Sequence, residues 1–159
     1  MLPADPRSRL IISADGAARG NPGPAGIGVV VSDERGRAVA EVAEGIGVAT
    51  NNVAEYRAAI EGLRIAAERG ARAVVLRSDS RLLVEQLSGR FRVKAPTLQR
   101  LHEEARGLLA RFERVKVEHV PREFNTEADR LANQGIDAWL EGPGKGYRRP
   151  EPPLALFDE

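Results

Sequence analysis

TNNVAEYRAAIEGLRIAAERG, residues 50–70, decides how the rest of the chain is read. Val53, Tyr56, Ile60, Leu63 and Ala67 recur at spacings of three and four. This predicts a helix over Asn51–Arg69 with one apolar face, and Gly70 is placed to cap its end. Glu55 fits that helix poorly as a surface residue. Ala58 and Ala59 stand three and four places beyond it and Asn51 four places before, so the usual Glu-to-Lys or Glu-to-Arg pairing is missing. On a helical wheel Glu55 falls beside Ala59 and Ala66, at the margin of the apolar stripe. A carboxylate there calls for a cation that its own helix does not supply.

Upstream of this helix the pattern changes to strands. Arg9–Asp15 reads as a buried strand and residues 16–26 (GAARGNPGPAG) as a turn-rich loop. Residues 27–33 and 37–48 read as two strands joined by a tight turn at Glu34–Gly36. Downstream, Ala73–Asp79 reads as a strand and Ser80–Leu87 as a short helix. A helix beginning at Pro96 carries Leu98, Leu101, Ala105, Leu108, Leu109 and Phe112 on its inner stripe. Val115–Val120 is a fifth strand, and Asn125–Leu140 a last helix with Ala128, Leu131, Ala132 and Trp139 inward. A three-strand meander followed by alternating helices and strands predicts an α/β fold: a five-stranded mixed sheet flanked by helices. Residues 1–8 read as a flexible N-terminus, 9–140 as one folded domain, and 141–159 as a flexible Pro/Gly-rich tail ending in Leu154, Leu156 and Phe157.

The chain of 159 residues has 42% hydrophobic residues, enough for a single core. Its 24 basic and 23 acidic side chains leave a net charge of +1, which does not by itself announce a nucleic-acid binder. Every basic residue except Lys94, Lys116 and Lys145 is arginine, the side chain suited to bidentate phosphate contacts. The absence of cysteine excludes disulfides, thiolate catalysis and Cys-type zinc sites, and two histidines offer little for zinc. No run approaches transmembrane length, and MLPADPRSRLIIS lacks the apolar stretch of a signal peptide. A monomeric cytoplasmic protein without membrane association is expected.

Four carboxylates repay attention together, although three have an ordinary explanation alone. Asp15-Gly16 is a turn signal, Asp79 stands where an N-cap would, and Asp129 follows Thr126 by three, as in a capping-box variant. Yet sites in open α/β sheets form beyond the carboxyl ends of strands, where Asp15 and Asp79 lie. Glu55 and Asp129 open helices that follow strands. Four acids converging there repel one another unless protons or metal ions neutralise them. An all-oxygen donor set selects a hard divalent ion, Mg²⁺ with Mn²⁺ as a substitute. Two such ions about 4 Å apart form the clamp used in phosphoryl transfer.

DGAARGNPGPAGIG at 15–28, TNNVAEYRA at 50–58, SDS at 78–80 and VPREFNTEADRLAN at 120–133 resemble, in this order, the catalytic blocks of type I ribonuclease H. The likeness covers about residues 9–140. The resemblance implies a ribonuclease H-like fold and endonucleolytic hydrolysis of RNA paired to DNA, leaving a 3′-hydroxyl and a 5′-phosphate. It also implies roles: Asp15 bridging two ions, Glu55 and Asp79 holding the ion near the leaving oxygen, Asp129 holding the ion that activates water. Positions matching Asn21, Thr50, Asn51 and Asn52 line the substrate groove, where amides and hydroxyls suit the wide minor groove of an A-like hybrid. As structural residues, Asn21-Pro22 starts a turn and Thr50 or Asn51 caps the helix.

The chain departs from the best-known members in having only GRFRVKAP, residues 89–96, where they carry a longer basic segment. It is similar instead to a compact subtype, some of whose members also cut double-stranded RNA. In that subtype an arginine stands seven residues before the last acid, as Arg122 does here, and this residue is expected to contact phosphate. His119 is expected to be a partly buried strand residue with no catalytic part. Two other functions remain open: the same fold as a catalytically inactive nucleic-acid-binding module, and a metal-dependent nuclease acting on DNA. The tail's Leu154, Leu156 and Phe157 either dock on the domain or bind a protein partner.

Overall fold

A computed structural model of the chain describes residues 8–142 and 147–149. Strands β1 (Arg9–Ala18), β2 (Gly23–Ser32) and β3 (Ala38–Ala49) form an antiparallel meander. The chain continues through α1 (Asn51–Glu68), β4 (Ala73–Ser78), α2 (Arg81–Leu87), α3 (Pro96–Leu109) and β5 (Arg114–His119). A 3-10 turn (Arg122–Phe124) leads into α4 (Thr126–Glu141), and β6 (Tyr147–Arg149) closes the described chain. β4 lies parallel to both β1 and β5, giving a mixed sheet in the order β5-β4-β1-β2-β3-β6. The five expected strands are all present.

Alternation along the strands sorts their side chains onto two faces. Leu10, Ile12 and Ala14 of β1 and Ile27, Val29 and Val31 of β2 are buried in one cluster with Tyr56, Ala59, Ile60 and Leu63 of α1. Leu83 and Leu87 of α2 and Leu98, Ala105 and Leu109 of α3 join the same cluster. Tyr56 donates its hydroxyl to Gln86 Oε1 at 2.6 Å, tying α1 to α2 inside this layer.

The other face of β2 is built from Gly26 and Gly28, and α4 rests almost directly on its backbone. A Cβ at Gly28 would lie 1.9 Å from the Ala128 carbonyl oxygen, and one at Gly45 of β3 would lie 2.2 Å from Trp139 Cβ. Gly135 answers from the helix side, where a Cβ would meet the Glu44 backbone at 2.6 Å. Ala128, Leu131, Ala132 and Ile136 are buried as expected, and Trp139 is half-buried.

Three local expectations give way to longer-range contacts. β1 does not turn at Asp15-Gly16. It runs on to Ala18, with Asp15 opposite Gly28, so the loop shrinks to residues 19–22. Asp79 is not an N-cap, because Ser80 takes that role by accepting from Leu83 N at 3.2 Å. Thr126 and Asp129 form no capping box, since α4 is capped by Asn125 without a side-chain cap bond. Thr50 does cap α1, accepting from Val53 N at 3.2 Å, and Gly70 takes the positive φ of 76° that ends it. Tyr147–Arg149, expected in the tail, instead pairs with Glu41–Ala43. Leu154, Leu156 and Phe157 lie outside the described residues. Among the described residues no helix is long and apolar enough to cross a membrane.

Gly28→Ala should destabilise the protein by about 1–3 kcal/mol, because α4 must lift from the sheet to admit a methyl group. Urea unfolding measures this; an unchanged midpoint would mean that α4 is not seated on the backbone as described.

Candidate active site

The register of the parallel strands brings the acids level. Ser13 of β1 pairs with Arg77 of β4, so Asp15 and Asp79, each two residues further on, emerge side by side at the carboxyl edge of the sheet. α1 reaches the same edge by closing on Gly16, where a Cβ would lie 2.1 Å from the Ala54 carbonyl carbon. That approach lets Gly16 N donate to Glu55 Oε1 at 2.8 Å, which orients the Glu55 carboxylate. Oxygens of Asp15, Glu55 and Asp79 all lie within 4.8 Å of one another.

Asp129 arrives from the opposite face on the first turn of α4. Its carboxyl comes within hydrogen-bonding reach of Asp15. Asn125, only 2% exposed, donates Nδ2 to the Ala14 carbonyl at 3.0 Å and so fastens the start of α4 to β1 beside Asp15. The sequence marks Asn125 only as a helix start; its burial and long-range bond have no local signature.

These surroundings raise proton affinity. Burial, then the charges of Glu55 and Asp79 and the contact with Asp129, push the Asp15 pKa up to about 9. Burial pushes Glu55 up to about 8, with Asp79 and Asp129 adding to the rise. The Gly16 N–H and the Arg122 guanidinium pull Glu55 the other way. None of the four acids forms an ion pair with a basic side chain among the described residues. Hard oxygen donors that resist ionising together fit a divalent cation.

The acids sit in a cleft of about 460 Å³, which Arg122, Asn51, Arg19 and Asn133 also line. Asn51 Oδ1 accepts from Ala18 N at 3.0 Å, and Asn51 N donates to Asn21 Oδ1 at 3.0 Å. Both amide oxygens are therefore engaged by the protein. Thr50 serves as helix cap, and Asn52 is exposed beside them. Arg19 and Asn133 were not singled out from the sequence. His119 belongs to β5 as expected, but it is exposed rather than partly buried. Arg122 is the cation brought to the cleft from the 3-10 turn.

A family model described as reverse transcriptase-like matches residues 13–135. The bifunctional protein Rv2228c of Mycobacterium tuberculosis (strain ATCC 25618 / H37Rv) is 50% identical over 131 residues, 82% of this chain and 36% of that protein. Ribonuclease HI of Halobacterium salinarum is 47% identical over 123 residues, 77% of this chain and 62% of that protein. The chain thus spans between about one third and two thirds of the length of these curated relatives. Among solved structures, LC11-RNase H1 in complex with RNA/DNA hybrid is 43% identical with a TM-score of 0.78, covering 82% of this chain and 99% of that one.

The raised Asp15 and Glu55 values fix the sign of a pH dependence in metal-free buffer. Both acids titrate near pH 4 when unfolded and near 8 to 9 when folded. Their contribution to stability is therefore full below about pH 4 and lost as pH rises towards 9. Asp15→Asn removes one of the charges that repel at high pH. At pH 8 with chelator it should be about 1 kcal/mol more stable than the parent, with a flatter melting profile between pH 5 and 9. A variant less stable than its parent at pH 8 would show that Asp15 is a structural residue.

Proposed function

The chain belongs to the type I ribonuclease H family, and we propose that it hydrolyses the RNA strand of RNA/DNA hybrids endonucleolytically, leaving 3′-hydroxyl and 5′-phosphate ends. One observation carries the reading: three carboxylate oxygens within 4.8 Å of each other, in an open cleft, with no ion pair to a basic side chain among the described residues. Inactive binding modules of this fold have no need to keep such a cluster, whose mutual repulsion works against folding.

Asp15, Glu55 and Asp79 would hold one divalent ion, and Asp15 with Asp129 a second; Mg²⁺ is the natural occupant and Mn²⁺ its substitute. Bound there, the ions supply Lewis acidity at the attacking and leaving oxygens of a phosphodiester. The remaining work falls to the chain itself. Gly16 N–H fixes the Glu55 carboxylate, and Asn125 fixes the height of Asp129 over Asp15. Arg122 brings a guanidinium, which has donors and no acceptor, so it binds phosphate and offsets charge rather than acting as a base.

Asn51 and Asn21, whose amide N–H₂ groups have no hydrogen-bond partner among the described residues, would present donors to the substrate, with Thr50 and Asn52 beside them. Donors in that position contact sugar hydroxyls and minor-groove acceptors without reading sequence. The same shape is offered by double-stranded RNA, which we take as a second, poorer substrate.

The assay is cleavage of RNA/DNA, RNA/RNA and DNA/DNA duplexes with Mg²⁺ or Mn²⁺. The hybrid should be cut fastest, and Asp15→Asn, Glu55→Gln and Asp79→Asn should each abolish cutting while remaining folded. Arg122→Ala should lower kcat by roughly 10- to 1000-fold, the scale of losing a positioned charge, whereas His119→Ala changes it little. Either ion should raise the melting temperature of the parent, and Asp15→Asn should remove most of that rise. Binding of the hybrid without cutting in either metal would establish the inactive module instead, and preferential cutting of DNA duplexes would establish a deoxyribonuclease.

A further inference from the structure

Arg19 lies in the loop between β1 and β2, four residues beyond Asp15, and its side chain crosses to α4. Nη1 meets Asp137 Oδ1 at 2.8 Å, and Nη2 lies 3.3 Å from Asn133 Oδ1 and 3.4 Å from the Asn133 carbonyl. Asn133 in turn donates Nδ2 to the Asp129 carbonyl at 3.1 Å. Asn133 and Asp137 stand one and two helical turns beyond Asp129. The guanidinium is therefore roughly 6 to 12 Å along α4 from the acid that shares the centre with Asp15.

As a structural bolt this arrangement is weak. The two side chains of the ion pair are 41% and 66% exposed, and such pairs contribute at most about 1 kcal/mol. The two contacts to Asn133 are long for hydrogen bonds. A guanidinium carries five N–H donors, and the protein's acceptors engage at most three of them. Nε makes no hydrogen bond among the described residues. Arg19 lines the same cleft as the four carboxylates.

Position along the sheet edge supplies the second argument. In the strand order β5-β4-β1-β2, Arg122 follows β5, Asp79 follows β4, Asp15 lies on β1, and Arg19 heads the β1–β2 loop. The acids thus have one guanidinium on each side. A polynucleotide laid across them presents the scissile phosphate at the carboxylates and further phosphates to left and right.

We propose that Arg19 is a substrate-binding residue that grips a backbone phosphate next to the scissile one, on the side opposite Arg122. Asp137 is the surrogate anion that holds it before substrate arrives. The assignment rests on the nuclease reading above and adds a second anchor to it. Binding exchanges the exposed Asp137 carboxylate for a phosphate, a better match to the planar fork of the guanidinium.

The two partners of the pair should then act with opposite sign, which a bolt cannot do. Steady-state kinetics on a labelled RNA/DNA hybrid should show Arg19→Ala raising KM about tenfold, the scale of a lost charge-assisted hydrogen bond, with a smaller effect on kcat. Arg19→Lys should recover part of the loss. Asp137→Asn, which frees Arg19 from its competitor, should lower KM about twofold. Binding of the same hybrid by Asp15→Asn, followed by fluorescence anisotropy, should lose about one unit of its log–log salt slope when Arg19→Ala is added. If Arg19→Ala and Asp137→Asn instead lower kcat alike and leave KM and the salt slope unchanged, the pair only braces the loop against α4 and the proposal falls. A parent that cuts no hybrid would overturn the nuclease assignment, while the anisotropy measurement would still decide Arg19.

Discussion

The approach of α1 to β1 at Gly16 sets the geometry on which the rest of the centre depends. No side chain fits between the Gly16 Cα and the Ala54–Glu55 peptide, so helix and strand meet backbone to backbone. That contact lets a main-chain N–H reach a glutamate from another element and hold it against Asp15. It also explains why β1 continues past Asp15, since a turn there would carry Gly16 away from α1. One glycine thus determines both the length of a strand and the place of a carboxylate.

Seen from the opposite face, the same logic recurs with α4. Gly26, Gly28 and Gly45 lower that helix onto the sheet, and Asn125 pins its first turn to the Ala14 carbonyl. Large side chains fill the α1 face, while the α4 face is defined by what is missing. A helix seated on main chain has little room to slide or tilt, whereas one floating on leucines can shift by a rotamer change. Acids delivered from two layers need that stiffness, because neither layer alone assembles the cluster. The cluster works against the stability of the fold that carries it: burial and mutual repulsion keep protons on Asp15 and Glu55 far above their usual range.

Much of this could be read from residues. The spacing of Val53, Tyr56, Ile60 and Leu63 marks α1, and the absence of a partner for Glu55 on its own helix points to an external cation. What escaped reading depended on contacts distant in the chain. Asp15-Gly16 carries a strong local turn signal, and only the register with Gly28 and the nearness of Ala54 overrule it. Asp79 and Ser80 are both good helix caps, and sequence alone could not say which would be left free for the site. Arg19 looks like any arginine in a glycine-rich loop until α4 is placed beside it. A three-residue strand at Tyr147–Arg149, amid glycines and prolines, is too short for its alternation to register.

That short strand has a bearing on how the molecule lives among copies of itself. β3 would otherwise form one flank of the sheet, with main-chain donors and acceptors at Glu41–Ala43 turned outward. Open flanks of this kind recruit strands from other chains and seed aggregation. β6 covers part of it with the chain's own residues. The far flank, β5, relies on a different device, for Arg114, Lys116, Glu118 and His119 stud it with charged and polar groups. A chain ended at residue 140, where the apolar pattern of the last helix runs out, would keep every acid of the centre. It would also expose the flank of β3 that β6 occupies.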